Sequence, residues 1–152
     1  MIKFISSSLL TFYRKKYLDK NTKTSFSLTK PYAYFPLHAE PDVAVLRIGD
    51  FYSDQINVIK NIAQSLPIGM DLLVKEHPAM WMMGWRNTDF YKHIIELPNV
   101  KLIHPSISSE LMIQNTSFVI TIAGTAALEA IFYEKPSIVF SDINCSTLSS
   151  VF

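Results

Sequence analysis

Two short runs, Leu72-Leu73-Val74 and Phe118-Val119-Ile120, are apolar at every position rather than at alternate ones. A strand with one wet face alternates polar and apolar residues, so a continuous apolar run implies a strand covered on both faces, as in a parallel sheet between layers of helix. Each run ends in polar groups. Lys75-Glu76-His77-Pro78 follows the first, and Thr121-Ile122-Ala123-Gly124-Thr125-Ala126-Ala127-Leu128-Glu129-Ala130 carries the second into a helical pattern. Open parallel sheets bind ligands in the crevice beyond the carboxyl ends of their strands, which is where both clusters fall.

The rest of the chain keeps this alternation. Strands are predicted at residues 32–37, 71–75, 100–103, 118–121 and 137–140, and helices at 53–66, 89–97, 108–115 and 125–133. Ser53 and Ser108 are the expected caps of two of the helices, and Pro67 and Pro98-Asn99 are stop signals. Alternating strand and helix predicts an α/β fold, a Rossmann-like parallel sheet with right-handed crossovers. With 152 residues, 49% of them hydrophobic, the chain has room for one ordinary domain with a real core. Residues 1–30 read as an N-terminal helix and linker, because Phe4, Ile5, Leu9, Phe12, Tyr13 and Tyr17 fall near helical spacing before a polar stretch breaks the pattern. Residues 31–152 then form the Rossmann-like domain, and the chain stops after the fifth strand without an evident closing helix, as a C-terminally truncated domain would.

Charge and composition exclude several classes. A formal net charge of +1 gives no global attraction to nucleic acid, although Arg14, Lys15, Lys16, Lys20 and Lys23 make the first thirty residues locally basic. The lone Cys145 cannot form an internal disulfide and points to a reducing compartment, the cytoplasm. Ser6-Ser7-Ser8 interrupts the apolar start, which argues against a signal peptide, and no apolar run reaches the roughly 20 residues of a spanning helix. Any membrane association is therefore expected to be peripheral. His38, His77, His93 and His104 show no metal-ligand spacing, so no metal is expected. Gly49, Gly69, Gly84 and Gly124 are too scattered for a dinucleotide fingerprint or a P-loop.

The two polar clusters offer chemistry that can be stated from the residues. Gly124 allows a close backbone approach, and Thr125 to Ala127 open a helix whose first N–H groups lack intrahelical partners, which favours phosphate or pyrophosphate. The hydroxyls of Thr121 and Thr125 are expected to add hydrogen bonds, and Glu129, one turn on, to accept from sugar hydroxyls. The same residues also fit a plain strand-to-helix turn capped by Thr125, with Glu129 exposed or paired with Lys135. In the other cluster, strand alternation sends Lys75 and Glu76 to opposite sides, and Pro78 keeps His77 out of the helical region, aimed at a ligand oxygen. A surface loop stiffened by proline fits those four residues too. The Met80-Trp81-Met82-Met83-Gly84-Trp85 run reads as packing, with Arg86 beside it able to reach a phosphate.

Taken in order, Tyr34-Phe35-Pro36-Leu37-His38 with Glu40-Pro41, Asp54-Gln55, Leu66-Pro67, Val74-Lys75-Glu76-His77-Pro78, Leu97-Pro98-Asn99-Val100, Gly124-Thr125-Ala126-Ala127-Leu128-Glu129-Ala130 and Lys135-Pro136 make a pattern that resembles the capsule polysaccharide biosynthesis proteins. Members of that family are similar to glycosyltransferases of the two-Rossmann-domain (GT-B) type, some of them to transferases that use CMP-activated Kdo. The resemblance implies one half of a GT-B fold, the half that binds a CMP- or UDP-linked sugar donor, with no other cofactor. It implies that Lys75, Glu76, His77 and Pro78 lie against the nucleotide, that Thr121, Gly124 and Thr125 line its phosphates, and that Glu129 holds the ribose or donor sugar. His38, Glu40 and Arg86 would face the inter-domain cleft, and no catalytic residue is assigned. The implied partners are the donor and a glycan or lipid-linked acceptor, with peripheral inner-membrane or capsule-assembly association and no nucleic acid. The acceptor domain and its base would lie outside a chain of this length. Two other classes stay in view: a nucleotide-sugar isomerase or phosphoglycerol-type transferase on a similar scaffold, and a non-catalytic flavodoxin-like binding domain.

Overall fold

A computed structural model describes residues 2–25, 29–40, 52–141 and 149–152. Cys145 and Gly49 lie outside the described residues. Five strands, β1 (Tyr32–Pro36), β2 (Asp71–Lys75), β3 (Val100–Ile103), β4 (Phe118–Thr121) and β5 (Ser137–Val139), form one parallel sheet in the order β3-β2-β1-β4-β5. Among the described residues five α-helices accompany them: α1 (Ile2–Asn21), α2 (Gln55–Ser65), α3 (Thr88–Ile95), α4 (Ser109–Asn115) and α5 (Ala126–Phe132). The chain runs outward from β1 through β2 to β3, then returns to β4 on the other side of β1. The C-terminal ends of β1 and β4 thus diverge at a reversal of strand order, where α/β sheets open a crevice.

The apolar runs are buried on both faces, as their lack of alternation predicts. Ala33, Phe35, Leu72, Val74 and Ile120 join the core under α1, α2 and α3, while Tyr32, Tyr34, Leu73 and Val119 join the core under α4 and α5. Successive residues of one strand therefore belong to opposite layers, the two-residue period of an extended chain.

Local chemistry sets the element ends, with differences from the sequence expectation. The cap of α2 is Asp54 rather than Ser53: its carboxylate accepts from the N–H groups of Ile56 and Asn57 at 3.1 and 3.2 Å, while Ser53 stays exposed. Both residues can cap, and because the helix begins at Gln55 the cap position falls on Asp54. Ser108 does cap α4, accepting from Leu111 N–H at 3.3 Å. Residues 1–30, set apart in the sequence, have their helix packed on the rest: Leu18 of α1 is fully buried in the main core, and Lys23 N–H donates to Leu102 O at 2.9 Å beside β3. At the other edge Val151 pairs in parallel with Ser137 of β5. The methionine-tryptophan run divides, with Met80 and Trp85 in the core and Trp81, Met82 and Met83 exposed.

Candidate functional site

A cavity of about 470 Å³ opens at the carboxyl ends of β1, β2 and β4. Its wall brings together His38, Lys75, Glu76, His77, Pro78, Thr121, Gly124, Thr125 and Glu129, all of them singled out from the sequence. Tyr34, Ala123, Ala126 and Ser109 also line it. The reversal of strand order explains the convergence: the segments after β1 and β4 leave the sheet side by side, and the segment after β2 closes the third side.

The β2 segment delivers its residues as the period of two requires. Lys75 turns towards α4, where Nζ donates to Ser109 Oγ at 2.7 Å, while Glu76 turns to the opposite layer and is fully buried. Every oxygen of Glu76 is satisfied there. Oε1 accepts from His77 N–H at 2.6 Å, and Oε2 accepts from Arg86 Nε at 2.9 Å and from the Tyr91 hydroxyl at 2.8 Å. Burial first, and then the Glu76 carboxylate, push the Tyr91 phenol well above its usual range, which keeps it a donor. His77 is extended (φ −69°, ψ 128°) and caps a 3-10 turn, Pro78–Trp81, by accepting Ala79 N–H on Nδ1 at 3.1 Å. Because Nδ1 accepts, the neutral ring carries its proton on Nε2 and can donate from there without taking a second proton, which would break the cap.

The β1 and β4 segments are joined by a relay. Gly124 N–H donates to Thr121 Oγ1 at 3.0 Å, and Thr121 Oγ1 lies 3.2 Å from His38 Nε2. Thr121 is fully buried, so its hydroxyl, expected to be available to a ligand, instead shapes the loop. The relay also explains the glycine. A Cβ at Gly124 would stand 2.6 Å from Thr121 Oγ1, closer than packed atoms tolerate, and a tight 3.1 Å from His38 Cε1. Beyond it, Thr125 takes helical angles (φ −63°, ψ −14°) with no side-chain cap bond, and its hydroxyl donates to Glu129 Oε1 at 3.2 Å. The N–H groups of Thr125 and Ala126 have no protein acceptor among the described residues.

Arg86 and Glu40, expected to face the inter-domain cleft, are not among the residues that line the cavity, and of the two Arg86 is buried and Glu40 exposed. Arg86 is 5% exposed; besides Glu76 it donates from Nη2 to the His38 carbonyl, sets Nη1 at 2.7 Å from Glu40 Oε1, and stacks 4.6 Å over the Phe90 ring. Gln55, also buried, accepts His38 N–H at 2.9 Å and donates to Glu40 at 2.6 Å. Arg86 thus stands between two carboxylates and holds the His38 carbonyl, while its Nη1, for all its closeness to Glu40, makes no hydrogen bond among the described residues. Gln55, Tyr34 and Ser109 are not among the site residues expected from the sequence, although Tyr34 and Gln55 belong to the ordered pattern that carries the family resemblance.

Among the described residues no group of three His, Cys, Asp or Glu could hold a metal ion, and no helix is long and apolar enough to cross a membrane.

Fold and site together define a Rossmann-like α/β unit with a cavity at its strand-order reversal. Residues 3–142 match the family described as capsule polysaccharide biosynthesis protein, and the chain belongs to that family. No curated protein matches it. Among solved structures it is similar to KpsC of Thermosulfurimonas dismutans, a beta Kdo 2,7 transferase, with a TM-score of 0.60 and 13% identity over 95% of this chain and 46% of that one. It is also similar to the UDP-GlcNAc 2-epimerase of Methanocaldococcus jannaschii, solved with UDP-GlcNAc and UDP (TM-score 0.53, 14% identity, 91% of this chain and 36% of that one). MnaA of S. aureus, solved with UDP, is a third (TM-score 0.53, 12% identity, 85% and 35%). At these identities the likeness is one of fold, and the chain spans less than half the length of each.

Proposed function

We propose that this chain is the donor-binding part of a glycosyltransferase of capsule polysaccharide biosynthesis, taking a CMP- or UDP-linked sugar that is passed to a growing glycan or lipid-linked acceptor. The observation that carries this reading is the cavity itself. Donors from two segments, His77 Nε2 and the Lys75 ammonium at the end of β2 and the N–H groups of Thr125 and Ala126 after β4, line it together with the Glu129 carboxylate. That is the complement of a ligand with anionic oxygens at one end and hydroxyls at the other. His77 and the loop after Gly124 take phosphate oxygens, Glu129 accepts from ribose or sugar hydroxyls, and Thr121 acts by holding Gly124 in place. Family membership and the nucleotide-bound structures that share the fold support the reading.

A thermal-shift and calorimetric screen of CMP, CDP, UDP and GDP tests it. A ligand that binds only the folded state stabilises it by about 2.7 kcal/mol at a hundred times its Kd. The expected result is stabilisation by a cytidine or uridine nucleotide, weakened in His77→Ala and Glu129→Ala. No response to any of the four by folded protein refutes it. Conversion of a nucleotide sugar without any acceptor would instead support an isomerase on the same scaffold.

A further inference from the structure

His38 closes the relay between the β1 and β4 segments, and the groups around its ring fix where the ring proton sits. Thr121 Oγ1, 3.2 Å from His38 Nε2, already accepts from Gly124 N–H and keeps its own proton to give. Ala123 N–H points at the same ring nitrogen at 3.5 Å, and a backbone amide can only donate. Nε2 therefore faces two donors and is the acceptor, so the ring is neutral with its proton on Nδ1. His77, whose Nδ1 accepts, is the opposite tautomer.

The backbone of His38 is held from both sides. The residue is 7% exposed, its N–H donates to Gln55 Oε1 at 2.9 Å, and its carbonyl accepts from Arg86 Nη2. A second proton on the ring would set an N–H against Ala123 N–H and deprive the Thr121 hydroxyl of its acceptor. With the His38 backbone fixed, what gives way is the loop through Ala123, Gly124 and Thr125, which lines the cavity. We propose that neutral His38 is a clasp, a positioning residue for the donor: its Nε2 holds the Ala123–Thr125 loop in the binding shape, and protonation of the ring releases it. The charged and titratable groups on the elements around the ring are Glu40 in its own segment, Lys75, Glu76 and His77 after β2, Arg86 at its carbonyl, and Glu129 on α5. The ligand's identity rests on the donor-binding reading, whereas the tautomer and the hold on the loop rest on the hydrogen bonds alone.

Calorimetry with CMP and UDP over about pH 5 to 8, where histidines titrate, tests this on wild type, His38→Gln and His38→Leu. Gln offers an acceptor that does not titrate, and Leu offers none. Loss of a neutral hydrogen bond corresponds to about 3- to 10-fold in Kd, the weakening expected of H38L at the upper end of the range, where H38Q binds nearly as wild type does. As pH falls, wild type is expected to lose affinity relative to H38Q by up to about 10-fold. That ratio cancels the titration of His77, of the other cavity groups and of the phosphate, which both proteins share. In parallel, 15N spectra of the imidazoles, with the His38 signals assigned by their loss in H38Q, report the tautomer, and the Ala123 and Gly124 amide signals report the loop. The expected neutral ring has an unprotonated Nε2, and both amides shift with its titration in wild type but not in H38Q. That result without nucleotide binding keeps the clasp and removes the donor reading. Nucleotide binding with equal pH profiles in wild type and H38Q, or a neutral ring with its proton on Nε2, overturns the clasp and leaves the donor reading standing. H38Q carries the test should H38L not fold.

Discussion

Lys75 and Glu76 are adjacent in sequence, both buried and both charged, and they occupy opposite situations. Glu76 lies in a closed polar cluster in which Arg86, Tyr91 and the His77 backbone satisfy it, and Arg86 and Gln55 extend the cluster to the His38 backbone. Lys75 lies across the sheet at an open cavity, with one hydroxyl for a partner. The difference separates scaffold from site. A buried charge whose partners are complete has nothing left for a ligand, whereas an incomplete one has both the free bonding capacity and the electrostatic reason to take one.

The largest effect is expected from breaking the closed side. Arg86→Met leaves the Glu76 carboxylate buried with its main counterion gone, and such unpairing costs about 3–5 kcal/mol. Urea unfolding is the measurement, and a loss under about 1 kcal/mol would show that the cluster does not hold the fold. Gln55→Ala strips the His38 N–H of its acceptor, with an expected loss of about 1–3 kcal/mol by the same method.

The smallest effect belongs to the open side, where Lys75→Met is expected to cost less than about 1 kcal/mol or to stabilise, because it removes a charge that folding desolvates without pairing. The pH dependence has a definite sign. Since the folded-state pKa of Lys75 lies below its ordinary 10.5, the unfolded chain holds the proton more tightly between those two values. Wild-type stability relative to K75M therefore rises as pH climbs through that window. A difference that stays flat or falls would mean that Lys75 is paired after all.

Much of this was legible in the sequence, for reasons that are local. Leu72-Leu73-Val74 and Phe118-Val119-Ile120 announce buried strands because burial on both faces abolishes alternation, and Pro78 sets His77 by steric exclusion within a dipeptide. Ser108 as a cap is legible too, whereas Asp54 in place of Ser53 is not: adjacent residues both able to cap are separated only by the backbone path into the helix. Arg86 shows the larger gap. As a cation next to an aromatic run it reads as a phosphate ligand, and nothing local announces that it stands between Glu76 and Glu40. Thr121 repeats the lesson with its hydroxyl, taken up by Gly124 and His38.

What the sequence determined by itself is therefore the layered α/β plan and the two strand ends at which polar chemistry collects, since both follow from side-chain periodicity over a few residues. Only the tertiary structure decided which of those polar groups are spent and which remain to bind. Satisfaction of a buried polar group depends on partners brought from 10 residues away, as with Arg86 and Glu76, or from 83, as with Thr121 and His38, and periodicity carries no information about such pairings.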